Sequence, residues 1–336
     1  MVRGDTAFLD AFRVLAVAWV VLGHCLIWSG VKATPFSDPK MAVDLFFVIS
    51  GFLMVYIMDR GLSLGQFYGR RLLRIAPAYY VAVAAAVILA PLTDAGYRAL
   101  PGPEAGVADL SPTSILAHLS FLHGFSPSYA ASLPLPDWSI AVEMQFYLLF
   151  PALYVIGRRG SMILTCTGLA VLSIAAVRLH PFPVYPEPSL LVFKLPLFMV
   201  GMLIYEARAK PACLVPAFLL LCFAASVYWW PGIVVIGLVS LLAFFWLAGV
   251  PHGLQPLFAS QAVRHLAAIS YPMFLCHGFV LAILGPLVLD ATSSVALMTL
   301  FVFAASYPIS RLLHAHVEEP MRRLRLRPRK AAVAPA

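Results

Sequence analysis

Residues 216–250 read PAFLLLCFAASVYWWPGIVVIGLVSLLAFFWLAGV, without one charged side chain, and residues 162–177, MILTCTGLAVLSIAAV, repeat that character. A bilayer core of ~30 Å is crossed by about twenty apolar helical residues, so runs of this length are membrane material. The rest of the 336-residue chain is cast the same way. It is 62% hydrophobic and 11% charged, against roughly 25% charged in a soluble domain, and its mean hydropathy is +0.90. That composition excludes a soluble enzyme, a disordered chain and a fibrous one. The apolar runs are continuous, whereas strands of a membrane barrel alternate, so a β-barrel is excluded too. The chain reads as an all-α, polytopic membrane protein.

Ten spans are predicted, at about 7–29, 41–58, 75–92, 138–157, 161–178, 189–207, 212–229, 231–249, 267–289 and 293–314. Lys194 and Pro196 interrupt the sixth, and Trp229-Trp230-Pro231-Gly232 divides the seventh from the eighth. With both termini cytoplasmic, the inner side collects Arg3, Arg60, Arg70, Arg71, Arg74, Arg158, Arg159, Arg208, Lys210, Arg264 and the tail RRLRLRPRK (322–330). The outer side keeps Lys32, Lys40, Arg98 and Arg178. This is the positive-inside pattern, and it accounts for the net charge of +8 without a nucleic-acid partner. The tail directly follows a span, where basic residues meet anionic lipid heads. The five cysteines all fall in apolar segments, which argues against a disulfide framework or a zinc site. No cleavable signal peptide is read at the start, because the first apolar run carries Asp10, Arg13 and His24. A single domain fills the chain, with no internal repeat of the kind transporters show. The longest stretch between spans, Thr93–Asp137, faces outside and is long enough to form a substrate-facing lid. Its piece Pro112–Leu122 is amphipathic and is expected at the interface.

Ionisable groups inside spans cost ~2.5–3.5 kcal/mol at the helix centre and mark function by default. The first span has two, Arg13 and His24. Eleven residues separate them, three helical turns and ~16 Å of rise, so both project from one face. Arg13 could equally snorkel to lipid heads while His24 bonds a carbonyl. The second span opens on Asp44. The fourth places Glu143 one turn below the outer surface, at the depth of His24. A carboxylate beside an imidazole would fix its tautomer and steady its charge during general-base catalysis, or it would only pack helices. Before the third span, Arg71 and Arg74 share a helical face with Arg70 adjacent. Guanidinium forks suit phosphates, although loop charge alone would place them there as well. His277 reads as structural, and His118 and His123, in or near the outer loop, as weaker candidates.

Six segments together resemble the acyltransferase family 3 membrane proteins. They are FRVLAVAWVVLGH (12–24), AVDLFFVISGFLM (42–54), FYGRRLLRIAPAYY (67–80), DWSIAVEMQFYLLFP (137–151), AISYPMFLCHG (268–278) and VEEP (317–320). The resemblance covers residues 5–323, with the exopolysaccharide- and O-antigen-modifying branch nearest and no appended esterase-like domain. It implies functional roles for Arg13, His24, Arg71 and Arg74. It matches the family's tryptophan–serine and glutamate to Trp138, Ser139 and Glu143, and its late signature to Glu318 and Pro320. Cys276 stands where relatives often carry an aromatic residue before the histidine, which leaves His277 without an assigned role.

The resemblance implies transfer of an acyl group, acetyl foremost, from cytoplasmic acyl-CoA to a hydroxyl of a cell-surface or lipid-linked glycan, in a bacterial inner membrane and without a metal. On this reading Arg13, Arg70, Arg71 and Arg74 hold the donor phosphates, and the pantetheine arm runs along the first helix towards His24. Glu143 or Asp44 orients the imidazole, and Trp138 and Ser139 contact substrate. His24 would act as a general base or as a covalent acyl relay. Ten spans with buried charges would also suit a transporter or flippase of a lipid-linked glycan or small acid. The missing repeat and the one-sided arginine cluster speak against that.

Overall fold

The computed structural model describes residues 6–102, 106–179, 185, 187–226 and 229–325. Helices occupy all ten predicted stretches, and no strand occurs among the described residues. The first three are α1 (Ala7–Trp28), α2 (Pro39–Met58) and α3 (Leu64–Ala99), followed by the short α4 (Pro112–Leu119) in the long loop. Then come α5 (Trp138–Arg159), α6 (Met162–Leu179), α7 (Leu191–Glu206), α8 (Leu214–Ser226) and α9 (Trp229–Ala248). A single turn, α10 (Gln255–Phe258), leads to α11 (Gln261–Thr292), α12 (Val295–Leu313) and α13 (Glu319–Arg325). A π-turn at His314–Glu318 joins the last two. Among the described residues, seven helices, with α12 and α13 counted as one, are long and apolar enough to cross a bilayer alone, and α8 and α9 are shorter apolar helices. The protein is a multi-pass membrane protein. Arg3 and most of the basic tail lie outside the described residues.

Two helices outrun their predicted spans. α3 has 36 residues, ~54 Å of rise, so its first turns stand clear of a ~30 Å core. A capping box at Ser63 and Gln66 starts it, satisfying two otherwise orphaned amides, and it carries Arg70, Arg71 and Arg74 in its opening turns. α11 has 32 residues with Pro272 and Pro286 inside it; neighbouring helices make such prolines tolerable in a membrane bundle.

α2 is the most enclosed span. It meets α7 through two glycines. A Cβ on Gly51 would lie 2.1 Å from the Phe198 carbonyl oxygen, and one on Gly201 would lie 2.0 Å from that of Val48. Backbones this close are the usual solution where lipid removes the hydrophobic drive for helix pairing. Lys194 and Pro196 do not break α7. Lys194 is buried and donates to Asp44 Oδ1 at 2.6 Å, so the span carries its cation at no exposed cost. At the end of the bundle rich in arginine, Arg158 bridges Asp59 and Glu206, 2.7 Å from each, and ties the last turns of α2, α5 and α7 together. α6 and α8 present bare leucines outward, among them Leu164, Leu172 and Leu219, as a lipid-facing rim requires.

Candidate active site

Two of the cavities hold ionisable residues singled out above, one nearer the basic end and one under the long loop. The first, about 90 Å³, is lined by Arg13, Arg71 and Arg74 together with Ser50, Glu143 and Tyr147. Phe46, Phe47, Ile49 and Ile140 give it apolar walls. The second, about 620 Å³, contains His24 and His277, with Trp28, Tyr97 and Trp138 around them. Val43 of α2 and Phe274 of α11 line both cavities and form the partition between them. α1 therefore delivers Arg13 and His24 to different cavities along its one face. Arg13 opens on the narrow cavity and His24 on the wide one.

His24 Nδ1 lies 3.0 Å from the Val20 carbonyl and 3.0 Å from His277 Nε2. His277 Nδ1 in turn faces the carbonyls of Phe274 at 2.8 Å and Met273 at 3.2 Å. Carbonyls only accept, so each Nδ1 carries a proton and each Nε2 a lone pair; the tautomers follow from these partners. His277 Nε2 accepts from His24, which leaves His24 Nε2 as the free basic nitrogen of the pair. The cysteine at position 276, out of keeping with the resemblance, turns the other way. Its thiol meets the Ser306 carbonyl and the Ser310 hydroxyl of α12 and leaves His277 free to face His24.

The carboxylates sit elsewhere than expected. Glu143 Oε1 accepts from Ser50 Oγ at 2.8 Å and from the Tyr147 hydroxyl in a very short bond, in the narrow cavity and not beside His24. Depth alone suggested the pairing; the rotation of α5 points Glu143 to Ser50 and Tyr147 instead. Asp44 is taken by Lys194 and belongs to the α2–α7 contact. Neither carboxylate orients the imidazole. His277, which carried no assigned role, holds that place. Arg71 and Arg74 face the narrow cavity, the Arg71 guanidinium 5.4 Å from the Tyr147 ring centre. Arg71 Nε is buried without a hydrogen-bond partner. Arg70 points to solvent and lines neither cavity. Trp138 belongs to the wide cavity and Ser139 to the narrow one, because adjacent helical residues point about 100° apart.

Sequence reading gave no role to Tyr147 or Ser50, and saw Lys194 only as an interruption of the sixth span. Tyr147 stands four residues after Glu143, a spacing that brings helical side chains together, and could have been found. Lys194 was visible as the lone cation of an apolar run. The wide cavity also holds an ion pair at its rim, Lys40 Nζ to Glu187 Oε2 at 2.9 Å. Burial pushes the Glu187 carboxyl above its ordinary range, and the Lys40 ammonium opposes the shift. The Trp28 and Tyr97 rings meet at a tilt of 34°, with centres 4.4 Å apart. The Tyr97 hydroxyl donates to the Gly278 carbonyl at 2.9 Å.

Comparison with known proteins agrees with the motif reading. The sequence model of the family described as "Acyltransferase domain" matches residues 6–313. The peptidoglycan O-acetyltransferase OatA of Listeria monocytogenes is 26% identical over 94% of this chain and 55% of its own length. The putative peptidoglycan O-acetyltransferase YrhL of Bacillus subtilis is 30% identical over 44% of this chain and 24% of its own. Nodulation protein 10 of Rhizobium leguminosarum is 29% identical over 50% and 48%. The chain thus spans at most about half the length of these relatives. No solved structure matches it.

Proposed function

The chain belongs to the acyltransferase family, and from that premise we propose that it moves an acyl group, acetyl foremost, from acyl-CoA to a hydroxyl of a cell-surface glycan. One observation carries the proposal: a guanidinium-lined narrow cavity and an imidazole-bearing wide one share a partition at Val43 and Phe274. The wide cavity, about 620 Å³, is in the range of pockets that enclose a small ligand such as a sugar. Arg71 and Arg74, with Arg13 behind them, receive donor phosphate through charge-assisted bonds, and the unpartnered Arg71 Nε is a donor left for that purpose. Glu143, through Tyr147 and Ser50, holds that wall in place.

In the wide cavity His24 Nε2 takes the proton of the acceptor hydroxyl as its oxygen attacks the thioester carbonyl. The carbon–sulfur bond breaks, and the proton passes on to the departing thiolate. His277 orients the ring and spreads the charge it gains. Trp28, Tyr97 and Trp138 offer faces for the sugar ring. We place the donor on the cytoplasmic side, with both termini there, and the wide cavity towards the outside of a bacterial inner membrane. That orientation rests on the loop distribution of arginine and lysine. The names of the relatives make a cell-wall or other surface glycan the first acceptor to offer.

The test is to reconstitute purified protein in vesicles, supply radiolabelled acetyl-CoA and membrane glycan, and follow the label. Covalent label in glycan, lost with His24→Ala, is the expected result. Label that crosses the membrane without covalent transfer would make the protein a transporter.

A further inference from the structure

The wide cavity holds a carboxylate that neither the motifs nor the proposed chemistry uses. Asp94 stands on α3 three residues before Tyr97, a spacing that puts both side chains on one helical face. It is 7% exposed and lines the cavity together with Tyr97 and Trp28. The Ala108 amide donates to its Oδ2 at 3.2 Å, and its other oxygen meets no protein donor among the described residues. Arg98, one turn further on, spends its Nε on the Asp94 backbone carbonyl at 3.0 Å and makes no ion pair with the carboxylate.

The surroundings of Asp94 are fixed. A Cβ on Gly102 would stand 2.5 Å from the Trp28 Cα, so the backbone after α3 presses on the end of α1 and holds Trp28 to Tyr97. The Tyr97 hydroxyl is tied to the Gly278 carbonyl, next to His277. Charge in the cavity is one-sided. Among the described residues that line it, Asp38, Asp94 and Glu187 are acidic, and the cation, Lys40, is engaged by Glu187 at 2.9 Å.

An ionised carboxylate only accepts hydrogen bonds, and burying one without a donor is costly. An occupant that satisfies Asp94 brings hydroxyl, amide or ammonium hydrogens to it. A sugar ring carries such donors around its rim, and its C–H face suits flat aromatic rings. A carboxylate or phosphate on the same ring would meet like charge.

We propose that Asp94, with Trp28 and Tyr97, forms the subsite that recognises the acceptor, and that the sugar ring it takes is neutral or amino-bearing, without a carboxylate or phosphate of its own. The inference rests on the reading of the wide cavity as the acceptor's chamber. Asp94 accepts from hydroxyl or amino groups of the ring, and His24 Nε2 serves the hydroxyl that is acylated.

The test needs no acyl donor. Ala131→Cys sets a thiol at an exposed position of the cavity lining, and the purified full chain without that substitution gives the background. Cationic and anionic methanethiosulfonates of equal size are compared there, each relative to free cysteine. The cationic reagent should react at least ~10-fold faster, since a cleft of one sign concentrates its counter-ions, and Asp94→Asn should narrow the gap. Three trisaccharides are then tested for slowing a neutral maleimide at position 131: the N-acetylglucosamine trimer, its de-N-acetylated amine form and trigalacturonate. The first two should protect and the third should not. Asp94→Asn should weaken that protection ~10–100-fold, the weight of a charge-assisted hydrogen bond.

Should Asp94→Asn fail to fold, the ranking of reagents and sugars with Asp94 in place decides. An anionic reagent as fast as the cationic one overturns the subsite. So does protection by trigalacturonate equal to that by the other sugars, protection by none of the three, or a folded Asp94→Asn that behaves as its parent. Label transfer to glycan by a protein that fails here would leave the acyltransferase reading standing. Success here without covalent transfer would refute only that reading.

Discussion

His24 and His277 come from helices at opposite ends of the chain, and their rings meet with Nδ1 of one 3.0 Å from Nε2 of the other. Each ring also donates to a carbonyl of its own helix, so the pair is a relay of fixed direction that ends in a free Nε2 on His24. A residue that orients a base through one hydrogen bond contributes through that base and has little effect once it is gone.

The pair therefore has a testable energetic signature. His24→Ala should lower kcat by ~10²–10⁴-fold, the usual cost of a lost general base, with donor binding intact. His24→Gln should do the same, since an amide accepts no proton at neutral pH. His277→Ala should lower kcat by up to about tenfold, the worth of one neutral hydrogen bond. The double variant should be no slower than His24→Ala. Additive losses in steady-state kinetics would separate the two residues.

At the narrow cavity, Arg71→Ala and Arg74→Ala should each raise the KM for donor by ~10–100-fold, in line with ~1.5–3 kcal/mol for a charge-assisted bond. The effect on kcat should be small, because the contact is made equally in ground and transition states. Lysine should rescue only in part, having the charge without the fork. Arg70→Ala should leave KM unchanged, since Arg70 faces solvent. Equal effects at all three positions would mean that the cluster acts only as loop charge.

Glu143→Gln separates its two possible stations. Beside Ser50 and Tyr147 it should alter donor KM, in common with Arg71, and leave the pH dependence of kcat in place. A displaced pH profile with unchanged KM would return Glu143 to His24.

Asp44 and Lys194 form a buried pair. Lys194→Met alone should destabilise by ~3–5 kcal/mol, because it strands a carboxylate in the bundle. Asp44→Leu with Lys194→Met should recover most of the unfolding temperature in detergent, and activity with it. A stable but inactive double variant would restore a catalytic place to Asp44.

The direction of insertion can be read by cysteine labelling. Val107→Cys suits this purpose, because Val107 is 71% exposed. Gly102 does not, since a Cβ there would stand 2.5 Å from the Trp28 Cα. A membrane-impermeant maleimide should mark position 107 in intact cells; labelling only after permeabilisation would invert the orientation.

The sequence by itself determined the membrane class, the positions of the helices, and the groups that do not belong in lipid: Arg13, His24, Asp44 and Glu143. Those properties are local. Hydropathy sums along a run, and an eleven-residue spacing fixes a shared helical face without reference to any other helix. What the groups do was decided by the tertiary structure alone. Glu143 and His24 lie at similar depth, yet the rotation of α5 turns Glu143 to Ser50 and Tyr147. Asp44 is claimed by Lys194 from a helix 150 residues away, and His277, unassigned by the motifs, meets His24 from 253 residues away. Which faces meet depends on close backbone packing, such as Gly51 and Gly201 allow between α2 and α7. Packing of that kind is a property of pairs of helices, and a linear pattern of hydropathy and charge does not encode it.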